Sequence, residues 1–169
     1  MNALKKEYVE LGIKVSHYTE VLAAMMDQKS LVFNTPYNHR VIYHDPCFLG
    51  KQNKIFEEPR RILHAIEGVE LLEFSTSKEN SLCCEGGGGR MFYEAESTYQ
   101  RNSERRISEA LTKGADILAT SCPFRLMTFE DAATEKNLPV KELSEIITEA
   151  LRTKDILLTF PALSDKHNP

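Results

Sequence analysis

Two spacings of apolar residues take turns along this chain. Short β-branched or aromatic runs recur at RVIYHD (40–45), VELLEF (69–74), ADILATS (115–121) and PVKEL (139–143). Such runs predict buried strands. Between them the apolar period lengthens to that of a helix. Ile62, Leu63 and Ile66 share one face over 56–66, with Pro59 in the first turn and Gly68 just past the end. Over 97–114 the stripe is Tyr99, Ser103, Ile107, Ala110 and Leu111, closed by Gly114. Further helices are predicted over 1–11, 18–28 (Val21, Leu22, Met25, Met26), 124–136 and 144–152, with a short strand over 13–17 and a loop over 31–39.

Strands alternating with helices predict an α/β fold. The expectation is a parallel sheet of four to five strands with helices on both faces. No linker divides the chain, so residues 1–154 are expected to form one domain. Residues 155–169, with the apolar ILLTF patch, are expected to form a C-terminal tail.

The strand pattern gives the cysteines a common address. Cys47 lies two residues past the 40–45 run, Cys83 and Cys84 lie in the loop after 69–74, and Cys122 follows 115–121 directly. Loops after the carboxyl ends of parallel strands share one edge, where sites form. All four sulfurs are therefore expected to converge. Buried cysteines are often plain small hydrophobes, but here none lies within a predicted strand or helix. A thiolate-ligated metal site is favoured, and soft thiolates select zinc or iron–sulfur clusters. Zinc ribbons use paired C-x₂-C knuckles, which this chain lacks. Adjacent ligands crowd one tetrahedral ion, whereas a cluster offers them different irons. The spacing tilts toward iron–sulfur.

The stretch SLCCEGGGGR (81–90) adds a second signal. Gly86, Gly87 and Gly88 would let backbone N–H groups approach a bulky anionic cluster. The plain alternative is a flexible loop. A phosphate loop is disfavoured, because Arg90 and Met91 stand where Lys-Ser or Lys-Thr would follow. Arg90 itself is a candidate to face the cluster. His44, three residues before Cys47, is a candidate to donate a hydrogen bond to a cluster sulfur or to carry protons, or else a buried hydrogen-bonded side chain. Asp45 is expected to cap the turn at Pro46. The charges of RNSERRISE are expected to form a solvated helix face, and Met91 to Tyr93 to pack over the site.

Composition narrows the class. The chain has 169 residues, 41% hydrophobic and 27% charged, with a net charge of −4. That suits one compact domain and argues against nucleic acid or an anionic membrane as partner. No run approaches the length of a transmembrane segment, and the N-terminal stretch does not read as a signal peptide. A cytoplasmic, reducing location is expected, where cysteines serve metal or redox chemistry more often than disulfides. No Ser-His-Asp or Cys-His nucleophile arrangement and no G-x-G-x-x-G after a strand stands out.

Taken together, HDPCFLG (44–50), SLCCEGGGGRM (81–91) and TSCPF (120–124) resemble the CCG, or cysteine-rich, domain. That domain occurs in the catalytic subunit of heterodisulfide reductase and in related iron–sulfur oxidoreductases. Thirty-five residues separate Cys47 from Cys83 and thirty-seven separate Cys84 from Cys122, similar to the family's spacing. The resemblance covers roughly 1–152. It implies an iron–sulfur redox protein working in electron transfer, ligated by Cys47, Cys83, Cys84 and Cys122. Zinc is the alternative cofactor, in a scaffold that binds partner subunits, and a metal-free switch of Cys83 and Cys84 is a third reading.

Three departures bear on this. Glu85 stands where the family has glycine. Arg125 stands where it has a final cysteine, which favours a four-thiolate [4Fe–4S] cluster over a five-thiolate noncubane one. Arg125 is a candidate to hydrogen-bond a cluster sulfide or substrate, or else it points to solvent. Finally, the chain resembles only the second of two repeats. Other oxidoreductase subunits are therefore the expected partners, one of them supplying a first repeat. Relatives in membrane reductases make association with a membrane-bound complex a further expectation.

Overall fold

The computed structural model describes residues 2–12, 14–92 and 100–151. Its sheet contains β1 (His39–His44), β2 (Val69–Leu72), β3 (Ile117–Thr120) and β4 (Val140–Glu142). The strand order is β2-β1-β3-β4 and every pairing is parallel. Parallel neighbours require a crossover, and each crossover here carries a helix. Helices α1 (Asn2–Glu7) and α2 (Tyr18–Asp27) precede β1. The short α3 (Gly50–Asn53) and then α4 (Glu57–Ala65) lie between β1 and β2. α5 (Asn102–Thr112) leads to β3, α6 (Pro123–Ala133) leads to β4, and α7 (Leu143–Leu151) closes the described chain.

Alternation along the strands builds two apolar layers. Val41 and Tyr43 of β1 and Ile117 and Ala119 of β3 pack with Ile62 and Leu63 of α4 and Ile146 and Ile147 of α7, and Leu22 and Met26 of α2 join them. Ile42 and Leu118 point the other way, with Ile107 and Ala110 of α5 and Phe129 and Ala133 of α6. Helices therefore cover both faces, as the apolar pattern implies.

Several local expectations fail. Residues 14–17 are not a strand. His17 instead caps α2: its ring accepts from the Thr19 N–H, and its own N–H donates to Glu20 Oε2 at 2.8 Å. That reciprocal capping box satisfies two orphan helix donors, which no sheet neighbour would have done. α5 begins at Asn102, so residues 100 and 101 are not helical, and 97–99 lie outside the described residues. α6 stops at Ala133, three residues early. Val21 and Leu111 are exposed, at the edges of their stripes. The 155–169 tail lies outside the described residues.

Two charged residues behave quite differently from their sequence reading. Arg106 of α5 is buried rather than solvated. Its guanidinium lies over the Phe74 ring, 4.4 Å from the centroid, and Nη2 donates to Thr76 O at 2.7 Å. Asp45 does not cap a turn. It is buried and takes both Arg60 Nη groups in a bidentate pair, at 2.7 and 2.9 Å. Arg60 also donates to both Glu73 oxygens and to Phe56 O. Asp45 Oδ2 in turn accepts the Lys78 N–H at 2.7 Å. This network ties α4 to the segments leaving β1 and β2.

Removing one partner of a buried ion pair strands the other charge, at a cost of about 3–5 kcal/mol. Asp45→Ala should lower the unfolding free energy by about that much in urea titration, because Arg60 retains only the half-exposed Glu73 as counter-ion. A loss below about 1 kcal/mol, the value of a surface pair, would mean the network is incidental.

Candidate metal centre at the carboxyl edge

The strand order creates a switch point. The chain leaves β1 toward β2 on one side and leaves β3 toward β4 on the other, so the two crossovers diverge. A crevice opens outside the carboxyl ends of such a strand pair. β1 and β3 are hydrogen-bonded neighbours, and His44 pairs with Thr120 at their ends. Cys47 follows β1 and Cys122 follows β3, so the two flank this point. Cys83 and Cys84 arrive from the loop beyond β2, held by the Lys78 contact with Asp45.

The cysteines differ in exposure. Cys84 is buried, Cys83 exposed, and Cys47 and Cys122 are half-buried; all four are free thiols. Two backbone donors attend the pair. Glu85 N–H lies 3.4 Å from Cys83 Sγ, and Gly86 N–H lies 3.4 Å from Cys84 Sγ. Burial pushes the Cys84 thiol above its usual range, while Arg125 and the Gly86 N–H pull it down. Cys83 and Cys47 are close enough to add to the upward push. Cys122 is the N-cap of α6, at the positive end of the helix. With Ser121, Pro123 and Phe124 it lines a pocket of about 360 Å³, whose lining also includes Pro46, Phe48 and Leu49 beside Cys47.

Among the described residues, no three His, Cys, Asp or Glu side chains are gathered as the shell of a single metal ion. The donor set nevertheless fits an anionic thiolate-bound group. It offers free thiols on one edge, backbone N–H groups on two sulfurs, and a buried cation beside Cys84.

The glycine run divides in two. Gly86 is buried, and a Cβ there would collide with Thr128 Oγ1 and come within 3.2 Å of Phe124 O on α6. Gly87, Gly88 and Gly89 are exposed, and an added Cβ would meet nothing within 4 Å. Gly86 is thus the close-packed member. Glu85 adopts φ +65°, a left-handed conformation that costs a side-chain-bearing residue about 1 kcal/mol. Its buried carboxylate offsets this by accepting from Asn102 Nδ2 at 3.1 Å and lying 3.5 Å from Arg90 Nε. Arg90 is itself half-exposed. Phe92 is strongly exposed rather than packed over the site, and Tyr93 lies outside the described residues.

His44 is fully buried at the end of β1, between the edges of Phe74 and Phe129. Arg125 is buried too, not turned to solvent, and its Nη1 lies 2.6 Å from His44 Nε2. Two residues that position this edge, Asp45 and Arg60, are not singled out as partners by the sequence. The available signals are an Asp directly after a strand and an Arg on the buried face of α4.

The two kinds of glycine separate by substitution. Gly86→Ala should lower the melting temperature by several degrees, since Thr128 and the α6 backbone must give way. Gly87→Ala should leave it within a degree or so. Equal melting temperatures for the two variants would show that the 85–86 backbone is not seated against α6.

The CCG cysteine-rich domain profile matches residues 41–130. EtfAB:quinone oxidoreductase of Syntrophomonas wolfei is 34% identical over 161 residues, 88% of this chain and 22% of that protein. The probable iron-sulfur-binding oxidoreductase FadF of Bacillus subtilis is 32% identical over 92% of this chain and 23% of its own length. A dihydromethanophenazine:CoB–CoM heterodisulfide reductase subunit from Methanosarcina barkeri is 35% identical over 84% of this chain and 35% of its own. The chain thus spans between a fifth and about a third of the length of these relatives. No solved structure matches it. The profile covers more than half of the chain and contains all four cysteines, so this protein belongs to the CCG cysteine-rich domain family.

Proposed function

We propose that this chain is an iron–sulfur redox module acting in electron transfer within a heterodisulfide-reductase-like oxidoreductase. Cys47, Cys83, Cys84 and Cys122 are its ligands, and a [4Fe–4S] cluster is the form that four thiolates suit. The observation that carries the reading is the delivery of four free thiols to one carboxyl edge by three different strand exits. The names of the relatives support it: one is a probable iron-sulfur-binding oxidoreductase, another a heterodisulfide reductase subunit.

When bound, such a cluster supplies one-electron transfer at this edge. The protein's own part is to hold and tune it. Backbone N–H groups of Glu85 and Gly86 stabilise negative charge on the sulfurs of Cys83 and Cys84. Burial of Cys84 against the α5–α6 layer limits water there. Residues 1–154 act as one module, with 155–169 as its tail. The partners are other oxidoreductase subunits, one of them carrying the complementary repeat. No helix among the described residues is long and apolar enough to cross a membrane.

Anaerobic preparation with iron and sulfide should give a brown protein with iron and sulfide in similar amounts per chain. Its visible absorbance should bleach on reduction. Cys84→Ser should lose that absorbance and most of the bound iron. About one zinc per chain without iron would instead favour a scaffold that binds partner subunits.

A further inference from the structure

The interior behind the cysteine edge has donors without acceptors. Arg125 is 4% exposed, and no carboxylate pairs with it among the ion pairs of the described residues. Its partner there is His44 Nε2, at 2.6 Å. A guanidinium has only donors, so Nε2 must accept and the ring proton sits on Nδ1. That Nδ1 is itself buried without a hydrogen-bond partner. The surroundings carry positive charge as well. Burial, then Arg125, Arg106 and Lys51, hold the His44 ring neutral by lowering its pKa well below the usual value. A buried cation without an anionic partner and a buried N–H without an acceptor are each costly. The cost at the guanidinium falls if an anion lies alongside it. Arg125 lies within electrostatic reach of the Cys84 thiol, and its backbone N–H donates to Cys122 O at 3.0 Å.

We infer that Arg125, clamped by His44, is the fixed counter-cation of the anionic thiolate-bound cluster and raises its reduction potential. This rests on the iron–sulfur reading above and extends it to a specific residue. A guanidinium stays charged at any working pH. Its attraction to the cluster grows when an electron adds negative charge, so the reduced state gains more than the oxidised one. Arg125 acts through this charge and is a positioning residue. His44 keeps the guanidinium from swinging to solvent and, being neutral, does not dilute its effect.

The test is an anaerobic redox titration of the full chain, reconstituted with iron and sulfide, with iron and sulfide counted per chain. Arg125→Gln removes the charge but keeps a donor for His44; Arg125→Lys keeps the charge. The expected result is parental cluster content in both, a midpoint potential shifted negative in Arg125→Gln, and one close to the parent in Arg125→Lys. Loading by the lysine variant alone, when the glutamine variant fails to assemble a cluster, also supports the charge role. An unmoved potential in Arg125→Gln overturns the inference while leaving the iron–sulfur reading intact. Failure of both variants to load, with a loaded parent, also overturns it, because packing rather than charge would then be what matters. A parent that takes up no iron and sulfide overturns the reading, and the inference with it.

Discussion

The buried pair between Asp45 and Arg60 is the constraint on which the rest of this edge depends. Arg60 projects from the crossover helix α4, Asp45 follows β1, Glu73 follows β2, and Lys78 begins the loop that carries Cys83 and Cys84. One guanidinium therefore joins the exits of two strands, and the Asp45 carboxylate it pairs with also holds the approach to the cysteine pair. Burying such charges costs more than burying apolar groups of the same size. What the network provides instead is direction, because a bidentate pair fixes angle as well as distance. The loops that carry the cysteines gain a fixed direction from it rather than a few kcal/mol.

The second requirement is electrostatic. Thiolates are anionic, and backbone dipoles face the Cys83 and Cys84 sulfurs. The Glu85 and Gly86 N–H groups, the start of α6 and the Arg125 guanidinium all present positive charge from the interior side. Glu85 accepts a left-handed backbone to let the two N–H groups reach successive sulfurs. Thr128 and Phe124 of α6 close on Gly86, so a side chain there forces α6 to give way. The loop conformation and the α6 surface are thus specified together.

Much of this is legible in the sequence. Apolar runs such as RVIYHD and ADILATS fall almost on β1 and β3, because a strand covered by helices on both faces must be apolar throughout. The shared address of the cysteines follows from strand order alone. The misreadings have physical causes. IKVSH has strand-forming residues, but His17 finds better partners as a helix cap. Arg106 reads as solvated because helical periodicity ranks charges as outward-facing. It does not foresee a guanidinium stacked on Phe74 and bonded to a loop carbonyl. Asp45 and Arg60 stand fifteen residues apart, and nothing local marks them as partners. Arg125 reads from sequence as a missing cysteine that either reaches the cysteine edge or points to solvent, and its burial against His44 depends on where α6 docks.

We propose that four cysteines from three strand exits hold one iron–sulfur cluster. The proposal is tested most directly by a crystal structure of the anaerobically reconstituted protein, with anomalous scattering measured at the iron and zinc edges. One compact iron peak is expected at the carboxyl edge between β1 and β3, within bonding distance of Cys47, Cys83, Cys84 and Cys122. A lone zinc peak, or iron bound away from Cys122, would contradict the proposal.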